Sequence, residues 1–250
     1  MTRLAPAAGL VAVAAMLLGA APASAAPGDA SSYGARLDLA LPVGGAVTAG
    51  PFAAATADGP TTNTFAGLDV PQVVKSGVLT TSASRDDKTG AVTSRASTAD
   101  VRLDLLRLAL GDVSAELVEA ECSATQKGVT GTSTLAGLHL GRLGGLEAEP
   151  AANTTVDVDL LGVDVAKLVL NEQVRNPDGS LTVNAFHLTL TGGELGGGDL
   201  VLSSATCGPA GLPIPMASGA GLWIGLGLLA LFGVPVGAVA LRRRHDLAAV

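Results

Sequence analysis

Along most of this chain apolar and polar residues alternate one by one, and Gly, Pro, Asn and Asp interrupt the alternation at short intervals. Successive side chains of an extended strand point to opposite faces, so a period of two commits the segment to sheet with one buried face. ARLDLAL alternates strictly up to Pro42. A Gly-, Pro- and Thr-rich passage from Gly44 to Pro71 follows, read as irregular connections around one short strand. From Val73 the pattern sharpens into paired runs. GVLTTSASRDDKTGAVTSRAS turns at Asp86–Gly90, DVSAELVEAECSATQKGVTGTSTLAGLHL turns near Gln126-Lys127-Gly128, and TTVDVDLLGVDVAKLVLNEQV turns at Gly162. DLVLSSATC is the last run. Successive hairpins without intervening helices predict an all-β fold, an antiparallel β-sandwich of about eight to ten strands. VRLDLLRLALGD, Val101 to Asp112, competes with this because its leucines fall at helical spacing, and it is expected to be one short helix or a bent strand.

The two ends set the domain organisation. Met1 to Ala25 carries Arg3, an apolar run from Leu10 to Ala21 and the small-residue pattern Ala23-Ser24-Ala25, the layout of a secretory signal peptide cleaved after Ala25. Near the other end no charged residue falls between Ser218 and Leu241, long enough for a bilayer that needs ~20 apolar residues. Arg242, Arg243 and Arg244 follow at once and mark the cytoplasmic side. The expectation is a single-pass cell-membrane protein: signal peptide at 1–25, extracellular domain at 26–215, transmembrane helix at 216–241 and basic tail at 242–250. Before the span GLPIPM approaches a sortase signal, but Pro215 and Met216 stand where the threonine and glycine would be, which argues against covalent wall attachment.

Composition narrows the function. Arg3, the three tail arginines and Asp246 lie outside the extracellular part, leaving 21 acidic and 11 basic residues, a net of −10. Such a surface repels nucleic acid and anionic lipid. Phe52, Phe65, Phe186 and Tyr33 are the extracellular aromatics, too few for a stacking platform for sugars or bases. Cys122 and Cys207 are the two cysteines, and in an exported chain they are read as one disulfide; a metal pair lacks further ligands. No cofactor is expected. Asp157, Asp159 and Asp164 in VDVDLLGVD are a weak candidate for calcium, weighed against the solvated face of a strand.

LVLNEQVRNPDGSLTVNAFHLTL, Leu168 to Leu190, holds a glutamate and a histidine within an apolar alternation. NPDG describes a type I turn closed by a glycine bulge, with Asn176 facing Ser180. Counting outward sets Glu172 opposite Asn184, Leu170 opposite Phe186 and Val169 opposite His187. Strict alternation then puts Leu168, Leu170, Val174, Phe186 and Leu188 on one face with Glu172 and Asn184, and His187 on the other. A turn one residue tighter would put Glu172 and His187 on one face but about 13 Å apart. Neither register gives an acid–base couple within hydrogen-bond reach, so no catalytic residue is assigned and the protein is expected not to be an enzyme.

VSAELVEAECSATQKGVTGTSTLAGLHLGRL, LVLNEQV, LTVNAFHLTL and the closing DLVLSSATC resemble the choice-of-anchor P family of actinobacterial exported proteins. Asn171, Glu172, Gln173, Val183, Asn184, Ala185 and His187 fall on the motifs, with Phe186 replacing the usual aliphatic residue. The resemblance covers about Asp112 to Cys207 and implies a surface-anchored, wall-side domain without assigned activity. The expected function is a non-catalytic ectodomain making structural or adhesive contact with a cell-wall or surface-protein partner. The alternatives are a calcium- or ligand-binding surface module, and a cell-envelope hydrolase using Glu172 or an aspartate pair.

Overall fold

A computed structural model of the protein describes residues 27–42 and 45–211. The expected signal peptide, the expected transmembrane segment and Arg242, Arg243 and Arg244 lie outside the described residues. Among the described residues no helix is long and apolar enough to cross a membrane.

Among the described residues fifteen strands follow in chain order: β1 (Ala30–Leu41), β2 (Gly45–Phe52), β3 (Ala55–Thr56), β4 (Thr62–Phe65), β5 (Asp69–Val70), β6 (Val74–Lys75), β7 (Leu79–Arg85), β8 (Val92–Leu103), β9 (Val113–Thr125), β10 (Gly128–Ala136), β11 (His139–Leu140), β12 (Thr154–Leu160), β13 (Val163–Arg175), β14 (Leu181–Thr191) and β15 (Gly197–Cys207). Ten of them run for seven residues or more, and the total exceeds the eight to ten expected by the short β3, β4, β5, β6 and β11, of two to four residues each. The passage from Gly44 to Pro71 departs from expectation. It contains β2, whose exposed pattern hides it from a hydropathy reading, and the short β3, β4 and β5. Val101 to Asp112 is both of the forms expected for it: Val101–Leu103 end β8, a 3-10 turn takes Asp104–Leu106, and one helical turn, α1 (Arg107–Leu110), follows.

All pairings are antiparallel, and they form two sheets. The first runs β12-β13-β14-β15-β1-β2, with β3 also on β1. The second runs β10-β9-β8-β6-β5, with β7 on β8, β4 on β7 and β11 on β9. β1, β14 and β15 of the first pack over β7, β8, β9 and β10 of the second, and one continuous apolar core fills the space between. Phe186, Leu37, Leu79, Leu135, Leu168 and Leu200 are among its fully buried side chains. Cys122 on β9 and Cys207 at the end of β15 are paired across the sandwich, their Cα atoms 5.8 Å apart.

The strict alternation fails along one line. Tyr33 faces Ser204 and Ala35 faces Leu202; Asn184 faces Ser204 and Phe186 faces Leu202; Leu170 faces Phe186 and Glu172 faces Asn184. Gly34, Ser203, Ala185 and Asn171 therefore form a row across four neighbouring strands. Asn171 (φ 50°) and Ser203 (φ 54°) are left-handed there. Past the row each strand has exchanged its faces, so two consecutive residues are buried in each: Gly34 and Ala35, Leu170 and Asn171, Ala185 and Phe186, Leu202 and Ser203. The second sheet bends likewise at Asp100 (φ 50°), between the pairs Ala99–Leu117 and Val101–Ala115. A non-glycine residue held at positive φ costs about 1–3 kcal/mol, so neighbours must hold it in place. Ser203 Oγ donates to the Val118 carbonyl at 2.7 Å, and Thr98 Oγ1 lies 2.9 Å from Ser203 Oγ and 3.0 Å from the Gly34 carbonyl. These buried hydroxyls fasten the row to the opposite sheet. Gly34 has no room for a side chain, since a Cβ would come 2.6 Å from Leu79 Cδ2.

Candidate functional site

The β13–β14 hairpin closes as its turn residues dictate. Asn176 N–H donates to the Ser180 carbonyl, Gly179 N–H donates to the Asn176 carbonyl, and Gly179 takes φ 84°. The pairs Glu172–Asn184, Leu170–Phe186 and Val169–His187 are those counted from the sequence. The facing is not. Because Asn171 inserts its left-handed step, Glu172 leaves the core face and joins His187 on the outer one, and Val174, expected in the core, is 42 % exposed. His187 Nδ1 lies 2.8 Å from Glu172 Oε2, so the expectation that these two cannot meet is overturned.

Around this contact three strands contribute a polar cluster. Asn184 Nδ2 donates to Glu172 Oε2 at 2.6 Å. His187 Nε2 faces Asp199 Oδ1 of β15 at 3.2 Å, and Thr189 Oγ1 donates to the same oxygen at 2.8 Å. Tyr33, Arg36 and Asp38 of β1 complete the wall of a shallow hollow of about 300 Å³ beside His187, Asp199 and Val201. The hydrogen bond to Glu172 raises the His187 pKa above its ordinary value, against partial burial, and Asp199 adds to the effect. The same bond lowers Glu172, helped by Asn184. Burial pushes the Tyr33 phenol up. The cluster thus sets the His187 ring between the carboxyl groups of Glu172 and Asp199. His139, the other histidine among the described residues, pairs with Ser114 at the edge of the second sheet and does not join the cluster.

The N-E-Q motif divides between two surfaces. Glu172 faces out, whereas Asn171 and Gln173 face the seam where β13 of the first sheet meets β10 of the second. Asn171 is buried and its Nδ2 donates to the Pro150 carbonyl at 2.8 Å. Gln173 Nε2 reaches the Gly131 carbonyl at 2.9 Å and Asn171 Oδ1 at 3.1 Å. Asn153 Oδ1, just before β12, accepts from the Gln173 backbone N–H at 2.8 Å and ties the start of β12 to β13.

The three aspartates proposed for calcium do not assemble as ligands. Asp157 faces Lys167 across the β12–β13 ladder, while Asp159 faces Asp164 at a bulge. The Asp159 pKa is raised, first by its hydrogen bond to Asp164. Among the described residues no group of three or more His, Cys, Asp or Glu side chains is arranged to hold a metal ion.

Strict period-two counting missed the cluster, although the sequence carried a local signal for the inversion. Ala185-Phe186 is an apolar doublet inside an alternating run, opposite Asn171, and asparagine is among the residues that tolerate positive φ best. Comparison with protein-family models, with curated proteins and with solved structures finds no match.

Proposed function

We propose that this chain is a membrane-anchored cell-surface protein whose non-catalytic β-sandwich makes structural or adhesive contact at the bacterial envelope. The observation that carries the reading is the position of the two ends of the described fold. Gly28 N–H donates to the Pro209 carbonyl and Gly208 N–H to the Asp29 carbonyl, each at 2.8 Å. Gly211 is held by the Gly90 carbonyl and by Gln126 Nε2, again at 2.8 Å. Entry and exit are thus fastened side by side at one pole, next to the Asp86–Gly90 turn. A sandwich leading at that pole into an apolar segment and Arg242–Arg244 would stand with its opposite pole outermost.

That opposite pole carries the turns at Leu161-Gly162 and Arg107–Leu110, where Leu161 (97 % exposed), Leu108 (69 %) and Val163 (63 %) present apolar surface to solvent. Exposed apolar side chains gathered at one end suit contact with a partner better than solvation alone. The engaged ring nitrogens of His187 support the non-catalytic part of the reading. The resemblance to the choice-of-anchor P family belongs to the same proposal. Single cysteines at Leu161 and at Lys88 of the full chain, reacted on intact cells with a membrane-impermeant maleimide, test it. Labelling of L161C on cells, with the chain in the membrane fraction, is the expected result. Labelling only after lysis, or recovery of the chain in the soluble fraction, would overturn the reading.

A further inference from the structure

The last strand of an open sheet carries backbone groups without a ladder partner, and folded proteins blunt such edges with charge, bulges or cover. The first sheet ends in β12 and β2, the second in β10 and, on its other side, the short β4 and β5. β12 carries Asp157 and Asp159 and a bulge between Val158 and Asp159. β10 is engaged from outside: Arg175 donates to the Val129 carbonyl, Gln173 to the Gly131 carbonyl, and Leu135 N–H to the Ala148 carbonyl. β2 has none of these devices. GAVTAGPF holds no charged residue, and its run Gly45–Ala49 pairs with β1 without a break. Among the described residues no hydrogen bond reaches the backbone groups on the outer side of this run.

Apolar burial is incomplete at the same place. Val47 and Ala49 lie opposite the buried Leu39 and Leu37 and point toward the core. Both are only half-buried, with no strand beyond β2 to cover them.

We propose that β2 is a self-association edge, which pairs antiparallel with the same strand of a second copy of this chain about a two-fold axis at Val47. Val47 then faces the partner's Val47, Gly45 faces the partner's Ala49, and Ala46 faces the partner's Thr48, so the whole regular run is paired. The paired positions differ by an even number, so the outward donors of one copy meet the outward acceptors of the other. Opposite residues of an antiparallel pair share a face, so the half-buried row of each copy is continued by that of the other, with a β-branched pair at its centre. Charge selects the occupant: on an acidic domain this uncharged run meets its own copy without bringing like charges together. Asp38, the ionised side chain of β1 opposite Thr48, would stand three strand spacings from its counterpart, at least ~14 Å and beyond the screening length of about 8 Å at physiological salt. The axis reverses the strand, so the poles carrying the chain ends point opposite ways. For anchored chains the pair would join copies standing on facing surfaces; that consequence rests on the proposed function, whereas the pairing does not.

The test is disulfide trapping of the full chain in detergent micelles. Opposite Cα atoms of an antiparallel pair lie about 4.5–5.5 Å apart, within disulfide reach, whereas position 48 is displaced from its own copy by two residues along the strand. Val47→Cys is expected to give a covalent dimer on a non-reducing gel, and Thr48→Cys to stay monomeric. Cys122 and Cys207 are bonded to each other and do not compete. Ala46→Lys together with Thr48→Lys, both at exposed positions, sets lysine against lysine on either side of the axis and should cut the Val47→Cys dimer at least tenfold. Melting of each variant is recorded; if Val47→Cys does not fold, a mixture of Ala46→Cys and Thr48→Cys chains takes its place and should give the mixed dimer. No trapped dimer, equal trapping of Val47→Cys and Thr48→Cys, or trapping untouched by the lysines would each overturn the proposal. Failed trapping with labelling at Leu161 intact would remove the pairing and leave the displayed domain standing.

Discussion

His187 is buried enough for its protonation to be felt by the fold, with 21 % of its side chain exposed against 19 % for Glu172. Its pKa is raised on folding, so its contribution is complete below the ordinary histidine value near 6.5 and is lost as pH rises through the raised folded value. Glu172 is lowered, so its contribution is present above the ordinary value near 4.5 and is lost as pH falls through the lowered folded value. Together they predict a stability maximum between mildly acidic and neutral pH. His187→Gln is expected to flatten the decline on the alkaline side, read by urea unfolding of wild type and variant between about pH 5 and 9. Glu172→Gln removes a charged acceptor shared by Asn184 and His187, and should lower stability by about 1–2 kcal/mol at pH 6. A variant as stable as wild type at that pH would mean that solvent already screens the pair. This contact was beyond a reading of strand alternation, because one dihedral angle at Asn171 decides which side of the sheet Glu172 occupies.

At the scale of elements, the row Gly34–Ser203–Ala185–Asn171 acts as a fold line. Each strand crosses it without losing register, so the hydrogen-bonded ladder continues while inner and outer faces change places. Gly34→Ala drives a methyl group into Leu79 and should cost about 1–3 kcal/mol in overpacking, seen as a lower midpoint of urea unfolding with little change in slope. Ser203→Ala strips the donor from the Val118 carbonyl while keeping the strained φ, and a loss of about 1–3 kcal/mol is expected in the same measurement. Local chemistry determined most of what could be read beforehand: turn residues at Asp86–Gly90, Gln126–Gly128, Gly162 and Asn176–Gly179 place the hairpins as found. β2 escaped because neither face of it is well buried, so hydropathy carries no trace of it. The seam escaped for a different reason: β10 and β13 are distant in sequence, and no local pattern reports their approach.

At the scale of the whole molecule, the Cys122–Cys207 link closes a separation of 85 residues. In the chain-entropy model a loop of that length is worth about 4–5 kcal/mol, so reduction should lower the denaturant midpoint markedly, measured with and without a thiol reductant. Cys207 is the final residue of β15, which lies between β14 and β1, whereas Cys122 lies in β9 of the opposite sheet. For a domain tethered through the chain that follows Gly211, tension that breaks the hydrogen bonds of Gly208, Pro209 and Gly211 arrives next at this residue. A strand held only by hydrogen bonds would be unzipped from its neighbours one rung at a time. Here the covalent bridge hands the pull to both sheets at once, before the first rung of β15 is loaded. The sandwich would therefore yield as a unit, and reduction would convert a load-bearing tether into one that peels.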